Sequence, residues 1–384
     1  MLLERPAARR LVAEAENALP DVVREVIAIC QIPAPTFHEE ERAAYVQRRM
    51  SEFGLREVYR DGIGNVIGRL RGTGKGPNLL LAAHLDTVFP PGTDVTVKNE
   101  GEILRAPGVG DNSASVAILL HAARLLVEAD VSLAGDVIFV ATCGEEGLGN
   151  LEGMRAVVRA LEQEIDYVVA LDGSLGGMVR EGVGSRRFRL VVTTSGGHSW
   201  GSFGAPSAIH SLARMIARIS ELRVPIHPKT TYNVGLISGG TSVNTIAARA
   251  EAVIDLRSLD RTELIRLEER VQRIIRAVER ETGVRATLEL LGDRPIGSIP
   301  DEHPLCNLVR AVHRDLGLQT RSYPSSTDGN VPLSIGIPAV TVGVTLGGNG
   351  HRLDEYIYTS PLAKGLAQVL LLVLGVQELP LRAR

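Results

Sequence analysis

The sequence predicts an α/β fold, with a mostly parallel central sheet flanked by helices and a smaller α+β domain inserted into it. Strand and helix patterns alternate through the first half of the chain and again near its end, which is typical of parallel sheets. Between these parts, the order of strands and helices changes. The length of 384 residues also exceeds what one compact core usually holds.

The first part of the chain begins with an amphipathic helix, predicted over residues 9–30. The apolar segments that follow are typical of strands: NVIGRLRG, PNLLLAAHLD, GDVIFVATCGEE and DYVVALDGS. Helices are predicted between them over 112–129 and 152–163. The segment RGTGKGP (71–77) resembles part of a phosphate loop, but it lacks GK[ST] and precedes a strand. We therefore interpret it as a hairpin turn.

The middle of the chain has the order βαββαβ of a split ferredoxin-like unit. Its elements are the strand RRFRLVVTTS, a helix at 205–221, strands at 232–238 and 248–258, a helix at 260–281 and the strand ATLELLG. The larger α/β pattern then resumes with the strand IPAVTVGV and a helix at 361–375. We expect a catalytic domain formed by 1–184 and 294–384, and an inserted lid and dimerisation domain over 185–293.

Composition and charge argue for a soluble globular protein rather than a nucleic-acid or membrane protein. The net charge is −3 and aromatic residues make up 4%, which favours neither nucleic acid nor an anionic membrane. The three scattered cysteines form no disulfide framework, which favours a reducing compartment. The N-terminus lacks a signal-peptide core, and the longest apolar run, VLLLVLGV, is too short to span a bilayer. We expect a cytoplasmic protein.

Polar side chains cluster where the predicted strands of the large sheet end, or just after them. They are His84 and Asp86 in HLDTV, Asp111 in GVGDN, Glu145 and Glu146 in CGEEGLG, Asp172 in ALDGS and His351 in GHRLDE. Each alone has an ordinary explanation, such as a core histidine, a helix cap, a loop charge or a turn. Together at one sheet edge, the carboxylates would repel one another unless a positive charge lies among them.

The residue types at this edge favour a metal site. Two histidines and three carboxylates form a ligand set that suits zinc, with cobalt or manganese as alternatives. A shared carboxylate can hold two such ions about 3.5–4 Å apart. His84 and Asp86 lie two residues apart and so share one face of a strand. We therefore expect His84 to be a ligand and the Asp86 carboxylate to orient its imidazole.

The same five motifs, in this order, resemble the dizinc aminoacylase/carboxypeptidase/peptidase-T family of metallopeptidases. The resemblance covers nearly the whole chain, and it implies a zinc-exopeptidase-like catalytic domain. It implies that Asp111 bridges two metal ions. His84 and Asp172 would complete the ligands of one ion, and Glu146 and His351 those of the other.

The resemblance also assigns Glu145 as the general base and Asp86 as the orienting carboxylate. Adjacent glutamates at a strand end point in different directions, so Glu146 can bind metal while Glu145 faces the attacking water. A carboxylate within hydrogen-bonding reach can take the proton of that water and pass it to the leaving amine. Cys143 precedes the pair, and we interpret it as a buried strand residue rather than a nucleophile.

The inserted domain adds further candidates that the resemblance implies. A histidine at the position of His198 reaches the active site in this family, often from the partner subunit, and stabilises the tetrahedral oxyanion. Asn244 and Arg257 match residues that contact substrate, and an arginine can bind a carboxylate through two hydrogen bonds. Arg294 is a candidate for substrate binding or for a hinge. Thr327 lies in SSTDGN, which resembles the family's substrate-holding loop.

These features predict a dizinc exopeptidase acting on short peptides. Aspartate at 172, where the carboxypeptidase and deacylase branches tend to have glutamate, favours an aminopeptidase for di- or tripeptides. The alternative is a carboxypeptidase or N-acyl-amino-acid deacylase in which Arg257 grips the carboxylate. A non-catalytic peptide-binding homologue would typically have lost a ligand or the base, and all are present. The expected partners are a small substrate and a second copy of the chain, paired through the inserted domain.

Overall fold

The computed structural model describes residues 2–382, and the chain divides into two compact units. The first combines the chain up to Gly182 with the chain from Gly297, and the second is Val183–Ile296. These bounds lie two to three residues outside the predicted insertion at 185–293. Met1, Ala383 and Arg384, which the predicted ranges include, lie outside the described residues. The roles of the two units stay predictions.

The helices are distributed over both units, with α6 and α7 in the second. In chain order they are α1 (Pro6–Asn17), α2 (Leu19–Cys30), α3 (Glu40–Glu52), α4 (Ser115–Glu128), α5 (Glu152–Leu161), α6 (Ala208–Ser220), α7 (Arg261–Thr282), α8 (Pro304–Asp315), α9 (Asn330–Ser334) and α10 (Pro361–Val376). Short 3-10 turns lie at Leu2–Glu4 and Gly147–Gly149, and an irregular turn at Val109–Ala114 leads into α4.

The strands are likewise divided, with β10 to β15 in the second unit. In chain order they are β1 (Arg56–Arg60), β2 (Val66–Leu70), β3 (Leu79–His84), β4 (Lys98–Asn99), β5 (Ile103–Arg105), β6 (Val137–Thr142), β7 (Tyr167–Leu175), β8 (Gly177–Val179), β9 (Glu181–Gly182), β10 (Gly184–Thr193), β11 (Gly197–His198), β12 (Thr230–Gly239), β13 (Thr245–Ile246), β14 (Arg249–Ser258), β15 (Arg285–Arg294), β16 (Gly297–Ser298), β17 (Arg321–Ser322), β18 (Ala339–Gly343), β19 (Gly347–Gly348) and β20 (Tyr356–Tyr358).

The first unit is built on an eight-stranded sheet in the order β1-β2-β6-β3-β7-β18-β8-β17. Its centre is parallel, because β3 pairs with β6 and β7, and β7 pairs with β18, in the same direction. All residues of β3 and β6 are buried, as expected for strands covered on both faces. The α/β fold is confirmed, and the carboxyl ends of β3, β6 and β7 meet at one edge.

Two local predictions are wrong. Residues 71–77 are not a hairpin turn, because β6 lies between β2 and β3 and pairs with both. The segment instead passes alongside residues 133–136, where the N–H groups of Thr73 and Lys75 donate to the carbonyls of Leu133 and Ala134. The single helix predicted over 9–30 is the pair α1 and α2. Proline in the first turn of α2 explains the break, because its ring disfavours continuing the preceding helix.

The second unit is an antiparallel sheet in the order β12-β14-β10-β15, with α6 and α7 packed against it. This is the strand order of the βαββαβ ferredoxin-like unit, which confirms the predicted fold of the insertion. Its core contains Phe188, Leu212 and Leu267 among other buried apolar side chains. β12 lies at one edge of the sheet, and much of it is exposed to solvent.

The apolar segment near the end of the chain forms α10, whose side chains are mostly buried in the core of the first unit. This helix packs against α1, α4 and α8. Among residues 2–382, no helix combines the length and the apolar character that crossing a bilayer requires. The segment VLLLVLGV is therefore part of a protein core.

Candidate metal centre

His84 is the last residue of β3 and is buried at the central edge of the main sheet. Its Nδ1 lies 3.0 Å from the backbone carbonyl oxygen of Asp86. A carbonyl can only accept a hydrogen bond, so in the neutral imidazole Nδ1 carries the proton and Nε2 carries the lone pair. The backbone therefore sets the tautomer that a metal ligand requires.

The Asp86 carboxylate lies 3.6 Å from Nδ1 of His84, farther away than the Asp86 carbonyl, and its orienting role stays a prediction. It accepts hydrogen bonds from the backbone N–H groups of Glu145, at 3.0 Å, and Glu146, at 2.8 Å. The hydroxyl of Thr36 donates to it at 2.9 Å. Asp86 thus fixes the backbone of the two glutamates that follow β6, and its carbonyl orients His84.

Asp111 lies between the two predicted histidine ligands. Its backbone is non-helical and belongs to the irregular turn, Val109–Ala114, that directly precedes α4. One carboxylate oxygen lies 3.1 Å from Nε2 of His84, and the other lies 3.0 Å from Nε2 of His351. His351 also approaches Glu146 Oε1 at 3.1 Å. A single carboxylate therefore connects two groups of potential ligands.

The potential ligand atoms form two sets that share Asp111. In the first, atoms of His84, Asp111 and Asp172 lie within 4.8 Å of one another, and in the second so do atoms of Asp111, Glu146 and His351. These are the two ligand sets that the resemblance implies. A third set combines His84 with Glu145 and Glu146, so Glu145 borders the same centre.

The shifted pKa values of these residues indicate that the site favours bound positive charge. Burial lowers the pKa of His84, but the Asp111 carboxylate raises it well above its usual value. Asp111 and Glu146 raise the pKa of His351 to about 10. Burial and the charge of Asp111 raise the pKa of Asp172 to about 7. Cations bound at these atoms would supply the missing charge and displace the protons.

The donor set fits divalent metal ions. Nε2 of His84 and Oδ1 of Asp111 are both buried, and although they approach to 3.1 Å, neither atom has a hydrogen bond of good geometry. Buried polar atoms normally have partners. Imidazole and carboxylate ligands in sets of three are those of catalytic zinc sites, which leave further positions for water and substrate.

A cavity of about 210 Å³ lies next to Asp111 and Asp172. Its lining includes Ser174, Thr345 and Tyr356, together with glycines in the loop before His351. The glycines leave backbone groups accessible at the cavity surface. A small substrate can therefore approach the ligand cluster from this side.

Thr327 and Asp328 lie near α9, in the first unit. Thr327 is buried, and its hydroxyl lies 2.7 Å from that of Thr341. Its contact with substrate stays a prediction. Asp328 is also buried, and the hydroxyl of Thr142, the last residue of β6, donates to it at 2.6 Å. The SSTDGN loop is thus joined to the strand that precedes the two glutamates.

In the second unit, His198 and Asn244 are neighbours. His198 in β11 pairs with Thr245 of β13, and the Ser199 N–H donates to the Asn244 carbonyl. Nδ1 of His198 accepts the backbone N–H groups of Trp200 and Gly201, both at 3.2 Å. The neutral imidazole therefore carries its proton on Nε2, which makes Nε2 a hydrogen-bond donor.

Arg257 and Arg294 lie at one end of the four-stranded sheet of the second unit, where both pair with Ser185 on either side of β10. Nε of Arg257 donates to Asp255 at 2.6 Å, and Arg187 donates to the same carboxylate at 3.3 Å. Arg294 is buried. Arg187, Arg257 and Arg294 form a guanidinium cluster, and guanidinium groups bind carboxylates well. Contacts of these residues with substrate stay predictions.

Glu355, the last residue of the motif GHRLDE, has contacts that the motif alone did not indicate. The Glu355 carboxylate is buried and accepts backbone N–H groups from the loop that carries Asp111. The glycines of GVGDN were the available signal, because successive backbone N–H groups in such loops form anion-binding concavities. Thr36 gave no comparable signal, since its partner Asp86 lies 50 residues away.

Known proteins resemble the chain over most of its length. The chain is 25% identical over 369 residues to a succinyl-diaminopimelate desuccinylase of Bordetella avium, covering 89% of this chain and 94% of that protein. It is 27% identical over 320 residues to a probable carboxypeptidase of Aspergillus flavus, covering 71% of each.

Among solved structures, a tripeptidase of Staphylococcus aureus has a similar fold. The TM-score is 0.80 at 23% identity, covering 94% of this chain and 99% of that one. The family model described as peptidase family M20/M25/M40 matches residues 80–374, a range that includes every residue of the two ligand sets. The resemblance inferred from the five motifs is therefore confirmed, and the chain belongs to peptidase family M20/M25/M40.

Proposed function

We propose that the protein is a dizinc metallohydrolase that cleaves the amide bonds of short peptides, as an aminopeptidase for di- or tripeptides. The observation that carries this proposal is the sharing of Asp111 between two sets of three ligand atoms. His84, Asp111 and Asp172 would hold one ion, and Asp111, Glu146 and His351 the other. Two bound divalent cations would activate water and polarise the substrate carbonyl.

Glu145 is the general base in this proposal. It is buried, and its backbone N–H is fixed by Asp86, which also fixes Glu146. With its neighbour binding metal, Glu145 accepts the proton of the attacking water and delivers it to the leaving amine. No serine or cysteine nucleophile is required, and burial raises the pKa of the Cys143 thiol above its usual value, which disfavours the reactive thiolate.

The free amine of a short peptide is our preferred recognition element, because position 172 is aspartate. The tripeptidase with a similar fold is consistent with this choice. The alternative is a carboxypeptidase or N-acyl-amino-acid deacylase, which the guanidinium cluster around Arg257 and the desuccinylase and carboxypeptidase relatives favour. A di- or tripeptide also has a free carboxylate, so the cluster is compatible with both.

The proposal includes a homodimer in which His198 and Arg257 of one chain serve different active sites. His198 follows the Thr193 end of β10 by five residues, whereas Arg257 pairs with Ser185 near the other end of that strand. Eight steps along a strand span about 26 Å, which exceeds the length of a tripeptide. With its proton on Nε2, His198 can donate to the oxyanion in the active site of the partner subunit.

We further propose a cytoplasmic location, with a small peptide or N-acyl amino acid as the substrate. All three cysteines, Cys30, Cys143 and Cys306, are free and buried. Free thiols in this number favour a reducing compartment. Zinc is our preferred metal, with cobalt or manganese as alternatives, because metal availability in the cell decides occupancy.

A panel of peptides tests the reaction and the substrate end together. Free di- and tripeptides, the same peptides with N-acetyl groups and the same peptides with C-terminal amides would be compared by amine release. We expect hydrolysis of the peptides with a free amine, loss of hydrolysis after chelation, and recovery with zinc, cobalt or manganese. Cleavage of only the N-acetylated peptides would support the deacylase instead, and cleavage of none would contradict the proposed enzyme.

The substitution Glu145→Gln tests the general base. The amide keeps the size of the side chain but cannot accept a proton, so kcat should fall by roughly 100- to 10,000-fold. Bound metal, measured by plasma mass spectrometry, should stay at the wild-type level. Glu41→Gln changes an exposed glutamate of the same unit and is the matched control. A parallel loss of metal would mean that Glu145 is a ligand.

Mixed dimers test whether His198 acts across the dimer. One chain would carry Glu145→Gln and the other His198→Ala, with different tags to purify the mixed species. Action in the partner's site predicts one working site in each mixed dimer. The reciprocal control pairs wild type with a chain that carries both substitutions, and it should be inactive. Activity in the control alone would show that His198 acts within its own chain.

A further inference from the structure

We propose that Glu355 is a positioning residue, which holds the carboxylate of Asp111 between the two ligand sets by binding the backbone of the Asp111 loop. This inference rests on the proposed metal centre. It states that the position of the Asp111 carboxylate depends partly on a residue outside both ligand sets. Glu355 belongs to the loop that carries His351, although it lies 244 residues from Asp111 in the chain.

The contact is dense and buried. Oε1 of Glu355 accepts the N–H groups of Gly110 and Asp111, both at 2.8 Å, and Oε2 accepts that of Gly108 at 3.0 Å. The residue is 2% exposed. Three backbone donors thus converge on one carboxylate, as in the concave anion sites formed by successive N–H groups.

Glycines in the Asp111 loop allow its backbone to approach the Glu355 carboxylate. Gly108 has φ 74°, which is in the left-handed region that favours glycine. At Gly110, an added Cβ would lie 2.9 Å from Oε1 of Glu355 and 3.0 Å from a side-chain carbon of Ile357. The glycine therefore allows the backbone to approach the carboxylate closely enough for the hydrogen bonds.

The next residue ties the loop on its other side. The side-chain amide of Asn112 donates to the carbonyl of Leu171 at 2.9 Å, directly before Asp172. Asp111 is therefore held through its own N–H by the loop of His351, and through Asn112 by the strand of Asp172. Each tie leads to one of the two ligand sets that Asp111 joins.

A shared ligand needs this restraint more than a terminal one. Zinc–oxygen distances in proteins fall within about 2.0–2.2 Å, and a bridging carboxylate must satisfy that range for two ions at once. A shift of the Asp111 backbone would lengthen at least one of the two bonds. Loss of the Glu355 contact should therefore weaken the binding of the metal pair, without removing any atom that touches it.

The substitution Glu355→Gln tests this role. One oxygen becomes an NH₂ group, which cannot accept from the loop, so one side of the carboxylate loses its bonds. We expect zinc affinity, measured by competition with a chromophoric chelator, to fall about 10- to 100-fold. The visible absorption of the cobalt-loaded protein should also change. Glu102→Gln, an exposed neighbour of β5, is the matched control and should change neither.

A role in folding alone would lower the melting temperature of the metal-free protein but leave zinc affinity and the cobalt spectrum as in wild type. That result would overturn the proposal. If wild type itself bound no metal pair, the proposed function would fail instead, so the two failures are distinguishable.

Gly110→Ala provides an independent perturbation of the same contact and keeps the test decisive if Glu355→Gln does not fold. The added methyl group displaces the Glu355 carboxylate from the loop side, so the same loss of affinity and the same spectral change are expected. In the double variant the two losses should not add, because both remove one contact. Additive losses, or wild-type metal binding by Gly110→Ala, would contradict the role of the contact.

Discussion

Electrostatic repulsion among carboxylates at one edge of the main sheet is the constraint that shapes the site. Asp111, Glu146 and Asp172 lie close together there, beside the imidazoles of His84 and His351. Taking such charges out of water is costly unless they are paired. The raised pKa values of His84 and His351 are the response of the protein alone. Bound divalent cations would neutralise the same carboxylates and would also activate water for hydrolysis.

The scaffold meets this constraint by using rigid elements for the ligands and hydrogen bonds for the loops. His84 closes a strand that is buried along its whole length and paired on both sides. The glutamate pair lies in a loop, but the Asp86 carboxylate fixes its backbone. Glu355 does the same for the loop of Asp111. Buried carboxylates that bind backbone N–H groups thus recur around the site, and none of these contacts consumes a ligand atom.

The sequence was sufficient to predict the α/β fold, the inserted unit and the side chains that converge. Apolar runs show where strands end, and the carboxyl ends of parallel strands meet at one edge of the sheet. His84 and Asp172 could therefore be placed close together from the sequence alone. The contacts of Asp86 and Glu355 could not be predicted, because they depend on backbone N–H directions in loops. The prediction of a hairpin at 71–77 was wrong because the order of strands in a sheet depends on the whole chain and not on the local sequence. The break between α1 and α2 was predictable from the proline.

Anomalous X-ray diffraction from crystals of the zinc-loaded protein, collected on both sides of the zinc absorption edge, tests the proposed dinuclear centre directly. A dinuclear centre that shares Asp111 predicts two anomalous peaks, the first near His84 and Asp172 and the second near Glu146 and His351. An active protein with no peak beside Asp111, or with its zinc bound elsewhere, would contradict it.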